Sequence, residues 1–421
     1  MAKSVVLAIA LALLTGCADR RPPRTPAQLI DEILVQLAAG EIDGADQSSE
    51  AAIRRYPGDG GVAACRATVH DLMWRDELAI ASWREVVASK DRAGWSVAVA
   101  RGRLGDQLFV AGRYGESLAP LLAGVVEDEA VRRHALVSVA RELPFRRKQI
   151  GPLVTEQPLL DGALPEFVCS IGELRRPFAV DTGSSMTTIS LSLAEAAGVR
   201  ALTDMGSIPD GTGKMVKASI GVLDGFAVGE IWFGSVPVLV VDDERLAMRD
   251  LFGGPDRAPV GVLGLDLLSL FRMTLDPVRR SLVLELPRRL PEATSVQCLR
   301  SQGRCLVPVA IEGERLWFVL DTGASHSSLS PAGLAKLPLG EARATPGFRR
   351  VRTAAGGGLS VREVKNLVLR VSQTRFSGVD LPVITREIGG VFPMHGVLGI
   401  DLLRQCRMVI DDGRVRMEPS R

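Results

Sequence analysis

The chain has 421 residues, a formal charge of +2 and 46% hydrophobic residues. That length calls for two to three domains, and the apolar content supplies a core for each. Acids and bases are interspersed without a basic stripe, which argues against a nucleic-acid partner. The four histidines are scattered and no group of residues has metal-ligand spacing, so neither metal nor other cofactor is expected.

The chain opens on a targeting pattern: Lys3, a short apolar run from Val5 to Leu14, then Leu14-Thr15-Gly16-Cys17. The run is too short to span a bilayer. Leu-Thr-Gly-Cys resembles the bacterial lipoprotein processing box, which implies cleavage before Cys17 and lipidation of that residue as a membrane anchor. Ala18 after the cysteine implies delivery to the outer membrane, on the periplasmic side of the bacterial envelope. The alternative is an ordinary cleaved signal with an incidental cysteine. Residues 1–17 are thus read as signal and lipobox, and 18–26, with Arg20-Arg21-Pro22-Pro23-Arg24, as a polar tether.

Residues 27–148 read as an all-α domain. Leu29, Ile33, Leu34 and Leu37 recur at helical spacing, and Pro26 stands at a helix start. The stretch Leu104 to Ala119 resembles a tetratricopeptide helix pair, and Glu77 to Trp83 is a weaker instance. The 34-residue period of such repeats is not clean here. Two roles are open: a groove for a peptide or protein partner, or a spacer holding the rest of the chain off the membrane.

Beyond this domain the sequence repeats itself. Asp181-Thr182-Gly183 and Asp321-Thr322-Gly323 stand 140 positions apart, after the apolar runs Phe178-Ala179-Val180 and Trp317-Phe318-Val319-Leu320. Leu263-Gly264-Leu265-Asp266-Leu267-Leu268 matches Leu398-Gly399-Ile400-Asp401-Leu402-Leu403, 83 and 78 residues from each first Asp to the Gly. Upstream, Val168 to Val180, turning at Gly172-Glu173, parallels Val307 to Leu320, turning at Glu312-Gly313. Self-similarity on this scale means two copies of one domain, 150–290 and 291–421. Asp266 and Asp401 recur too, and before Leu-Leu they read as N-caps of short helices rather than as reacting groups.

On these motifs each copy resembles a retropepsin-like (clan AA) bacterial aspartic peptidase domain. The resemblance covers about two thirds of the chain and implies two mainly-β acid-protease domains forming a pseudo-dimer within one monomeric chain. It implies that Asp181 and Asp321 are the catalytic pair, one per half, sharing one proton and activating a water against a peptide bond. Thr182 and Thr322 then bond across the interface, and Gly183 and Gly323 let the two backbones approach. The absence of any tyrosine outside the first third sets the chain apart from pepsin-type enzymes.

The two copies differ at Ser184 and Ala324. A hydroxyl at Ser184 is expected to bond the outer oxygen of Asp181 and make it the more acidic member. His326 reads as a loop residue. Flap tips are expected at Gly211-Thr212-Gly213 and at Gly356-Gly357-Gly358, about thirty residues past each Asp, against the alternative of plain surface turns. Cys298 and Cys305 flank a short loop that a disulfide could close, with Cys65, Cys169 and Cys406 elsewhere. The reading is a membrane-anchored periplasmic aspartic endopeptidase acting on polypeptide. Its rival is a non-catalytic lipoprotein that binds protein partners through the same folds, against which stand the two intact Asp-Thr-Gly motifs.

Overall fold

The computed structural model describes residues 24–90, 95–124, 129–148, 151, 154–209, 215–246, 260–338, 340, 344–352, 358–384 and 392–420, with backbone alone at 209, 346–352 and 358–361. Cys17 and the flap candidates Gly211, Gly213, Gly356 and Gly357 lie outside these residues.

Among the described residues seven helices come first: α1 Pro26–Ala39, α2 Ile42–Arg55, α3 Gly60–Leu72, α4 Asp76–Ala88, α5 Val97–Val110, α6 Tyr114–Ala123 and α7 Ala130–Glu142. Thr25 caps α1 reciprocally, accepting from Gln28 N while the Gln28 side chain accepts from Thr25 N at 2.9 Å. Leu29, Ile33 and Leu37 are buried, but Leu34, expected on the same face, is 44% exposed. A stripe confined to one row of turns places Leu34 just outside it. Consecutive helices pack on one another in order, and the Leu104–Ala119 stretch is the α5–α6 pair. No described helix is long and apolar enough to cross a membrane.

Two β lobes follow. The first comprises β2 Glu166–Ile171, β3 Leu174–Val180, β4 Thr188–Ser190, α8 Leu191–Ala196, β5 Arg200–Pro209, β6 Met215–Val228, β7 Ile231–Val241, β8 Gly261–Leu263 and α9 Leu265–Leu268, in sheet order β2-β3-β8-β4-β7-β6-β5. The strand β1 Val154–Pro158 precedes it, and β9 Arg272–Asp276 and β10 Ser281–Glu285 follow. The second repeats the plan with β12 Leu299–Ser301, β13 Arg304–Ile311, β14 Glu314–Leu320, β15 Ser328–Leu329, α10 Pro331–Lys336, β16 Thr345–Arg352, β17 Gly358–Val371, β18 Thr374–Val383, β19 Gly396–Leu398 and α11 Ile400–Leu403. Its order is β12-β13-β14-β19-β15-β18-β17-β16. A third sheet joins the lobes, in the order β1-β10-β9-β20-β21-β11, with β11 Val296–Gln297, β20 Cys406–Asp411 and β21 Arg414–Pro419. Its central pairing, β9 on β20, sets Leu275 opposite Met408, so both copies close one sheet.

The helical domain is docked on both lobes. Leu37, Ile42, Val62 and Val69 share a core with Trp317, Val319, Phe392 and Met394 of the second lobe. Tyr114, Leu121, Leu136 and Val139 share another with Met205, Ile220 and Leu239 of the first. Arg300 of the second lobe donates to Asp71 at 2.7 Å and to Asp76, and lies over the Trp74 ring at 5.0 Å. A nearly buried guanidinium held by two carboxylates and an aromatic face fixes orientation as well as contact. Cys65, Cys169, Cys298, Cys305 and Cys406 are buried free thiols, and the loop that a Cys298–Cys305 disulfide could close is not bridged.

Candidate functional site

Each Asp-Thr-Gly sits where a buried strand ends beside a parallel neighbour. In the first lobe β3 pairs with β8, Val180 opposite Leu263, and Asp181 N donates to Leu263 O at 3.1 Å. In the second, β14 pairs with β19, Leu320 opposite Leu398, and Asp321 N donates to Leu398 O at 3.0 Å. Beyond each strand the backbone turns onto the carboxylate. Gly183 N and Ser184 N donate to Asp181 Oδ1 at 2.8 and 3.1 Å, and Gly323 N and Ala324 N to Asp321 Oδ1 at 3.0 and 2.9 Å. This Asx turn fixes the inner oxygen and leaves the outer one to other partners.

The two turns meet. Thr182 and Thr322 are fully buried, and each hydroxyl donates to the opposite strand: Thr182 Oγ1 to Leu320 O at 2.7 Å, Thr322 Oγ1 to Val180 O at 2.6 Å. Each hydroxyl also accepts from the facing amide, Thr182 N at 3.0 Å and Thr322 N at 3.2 Å. All these groups are thereby satisfied in a fully buried interface, which holds the two carboxyls across from each other. The glycines make the approach possible. A Cβ on Gly183 would lie 2.4 Å from Asp321 Cγ, and one on Gly323 would lie 2.6 Å from Asp181 Cγ.

Burial first, then the facing Asp321 charge, pushes Asp181 up to about 8. Burial raises Asp321 as well, opposed by the Ala324 amide and the positive charge of Arg304. Both shifts point upward, as expected of two buried carboxyls that share one proton. The bond expected from the Ser184 hydroxyl to Asp181 is not made: that hydroxyl donates to Met186 O at 2.8 Å, and only the Ser184 amide reaches Asp181. A carbonyl two residues on takes the hydroxyl, and the positive charge of Arg304 acts on the Asp321 side. No reading of the turn could find Arg304, because it lies on a separate strand.

Asp266 and Asp401 are structural, but they are not N-caps. Gly264 and Gly399 hold the cap positions in extended backbone. The carboxylates reach back to the loop behind each dyad residue instead. Asp266 Oδ1 accepts Thr187 N at 2.8 Å and Thr187 Oγ1 at 2.9 Å, and Asp401 Oδ1 accepts Ser327 N at 2.9 Å and Ser327 Oγ at 2.7 Å. Thr187 and Ser327 were missed, though a hydroxyl six residues past each Asp is a signal the repeat carries. His326 is half-buried in the same loop. The hairpins expected to carry flaps are formed up to their tips, Pro209 pairing Met215 and Arg352 pairing Gly358.

A carboxyl whose folded pKa is raised favours the fold below its ordinary value of 3.8, and that contribution is lost as pH rises through about 8. The Asp181→Asn variant is therefore expected to match the wild-type Tm near pH 4 and to exceed it by a few degrees at pH 8.5. Scanning calorimetry at the two pH values checks this, and a gain that does not grow with pH would contradict the shared-proton pair.

Among solved structures, the chain is similar to a retropepsin-like aspartic protease from Rickettsia conorii at 18% identity, over 34% of this chain and 97% of that one, with a TM-score of 0.24. It is similar to a mutant of MamA at 18% identity, over 34% of this chain and 78% of that one, with a TM-score of 0.26. It also aligns with a mutant of the Thermobaculum terrenum O-GlcNAc transferase at 18% identity, over 28% of this chain and 23% of that one, with a TM-score of 0.23. No curated protein matches the chain. Residues 168–267 and 307–402 each match the aspartyl protease family model, so each lobe carries one match around its own Asp-Thr-Gly.

Proposed function

We propose that this chain is an aspartic endopeptidase in which Asp181 and Asp321 form one catalytic pair. The observation that carries the reading is the mirrored geometry of the two carboxyls, each turned inward by its own backbone amides and facing the other lobe's glycine. Asp321, whose carboxylate form the Arg304 charge favours, takes a proton from a water lying between the carboxyls. That water attacks the carbonyl carbon of the scissile bond while Asp181 donates its proton to the carbonyl oxygen. Collapse of the resulting gem-diol expels the amine, which leaves with a proton, and the pair returns to its singly protonated state. The step runs on the two carboxyls and the water.

The N-terminal pattern ending in Cys17 supports an outer-membrane lipoprotein that faces the periplasm, and the helical domain is a candidate surface for a protein partner. The test is digestion of a mixed peptide library between about pH 4 and 7 by the soluble chain lacking residues 1–17, with its mass followed by light scattering. Cleavage by a monomer is the expected result. A folded monomer that cleaves nothing at any pH and binds no transition-state mimic would shift the reading to a protein-binding lipoprotein.

A further inference from the structure

The loops behind the two carboxyls share their main backbone contacts but differ in what holds the carbonyls of Asp266 and Asp401. In the second lobe, the carbonyl of Asp401 accepts Gln405 Nε2 at 3.0 Å, a contact made within the lobe. Repeat alignment puts Leu270 at the place of Gln405, and a leucine donates nothing. The carbonyl of Asp266 is taken instead by Arg147 Nη1 at 3.1 Å, from the end of the helical domain.

Arg147 is itself tightly seated. Its amide donates to Gly112 O at 2.8 Å, Nε donates to Tyr114 Oη at 3.1 Å, and Nη2 donates to Val110 O at 3.2 Å. Gly112, at φ +72°, leaves the room, since a Cβ there would meet Arg147 Cβ at 2.8 Å. From Asp266 the chain of contacts continues inward. Its carboxylate holds Thr187, Thr187 Oγ1 accepts Gly264 N at 3.3 Å, Leu265 N donates to Ser184 O at 2.9 Å, and Leu263 O receives Asp181 N. Asp266 Oδ2 is buried without a hydrogen-bond partner among the described residues, so the carboxyl depends on its remaining contacts to stay in place.

We propose that Arg147 is a positioning residue for Asp181: the helical domain supplies to the first lobe the donor that the second lobe supplies to itself through Gln405. This rests on the peptidase reading, and it makes the helical domain part of the catalytic unit rather than an appendage. Only one of the two loops is secured this way, so loss of the donor disturbs Asp181 and leaves Asp321 in place.

The test uses the full chain in detergent and compares Arg147→Met with Arg147→Met/Leu270→Gln. The single variant is expected to lower kcat about 10- to 100-fold with little change in KM, and to speed hydrogen exchange of the amides at 183–187. The double variant puts the second lobe's own solution into the first and is expected to restore both. If Arg147 merely glued the helical domain in place, a glutamine at 270 would rescue nothing, and that result would overturn the proposal. So would unchanged exchange in the single variant. Should the wild type cleave no peptide, the peptidase reading fails, while loop exchange and its rescue still decide whether Arg147 positions the loop.

Discussion

Asp181→Asn and Asp321→Asn are each expected to reduce kcat/KM by about a thousandfold or more, and the double variant by little beyond either single one. Each carboxyl is half of one device: with one replaced by an amide, the pair no longer holds both an ionised base and a proton to donate. The dependence is therefore non-additive. Because the two sit on different lobes, equal losses in the two single variants report a site shared between them. Steady-state kinetics on the three variants checks this. Two separate half-sites would instead leave about half of the activity in each single variant and abolish it only in the double one.

The second large effect concerns stability rather than chemistry. Trp317 is 1% exposed at the meeting of the helical domain and the second lobe, where it stacks edge-on against Phe392 at 5.3 Å and its indole donates to Gly40 O at 3.0 Å. Its backbone N–H donates to His395 Nδ1 at 2.9 Å, and burial holds that imidazole down at about 4, neutral and able to accept. Truncation of Trp317 to alanine removes a full aromatic from a closed interface and strands the Gly40 carbonyl. A loss of about 3–5 kcal/mol is expected, measured by urea denaturation. Since Trp317 lies on β14, which leads into Asp321, the loss is expected to bring reduced cleavage with it. A loss under about 1 kcal/mol would mean that the domains are not docked through this residue.

The features legible in the sequence were those written twice. The paired Asp-Thr-Gly motifs and the later Leu-Gly-apolar-Asp-Leu-Leu motifs fixed the duplication, because strand-end turns of this kind depend on a few local residues. The cross-lobe role of Thr182 and Thr322 came through the resemblance alone, since no local rule says which hydroxyl reaches another lobe. Ser184 was misread because its hydroxyl satisfies Met186 O instead of the carboxylate. Asp266 was misread because its partner, Thr187, is 79 residues away in sequence. Helical periodicity found α1, but it could not show docking on the lobes. The small residues Ala63, Ala64 and Ala67 let α3 be buried nearly all round, and a helix without a polar face gives no periodic signal of what covers it. Arg147 and Arg304 were invisible for the same reason: their roles exist only between segments that folding brings together.

The central claim is that one chain builds one site from both of its halves. The most direct measurement is calorimetric titration of the full chain with a peptide that carries a hydroxyl in place of the scissile carbonyl, a mimic of the tetrahedral intermediate. One equivalent bound per monomeric chain, with binding lost in Asp181→Asn and in Asp321→Asn alike, is the predicted result. Two equivalents per chain, or one per pair of chains in a dimer, would contradict it.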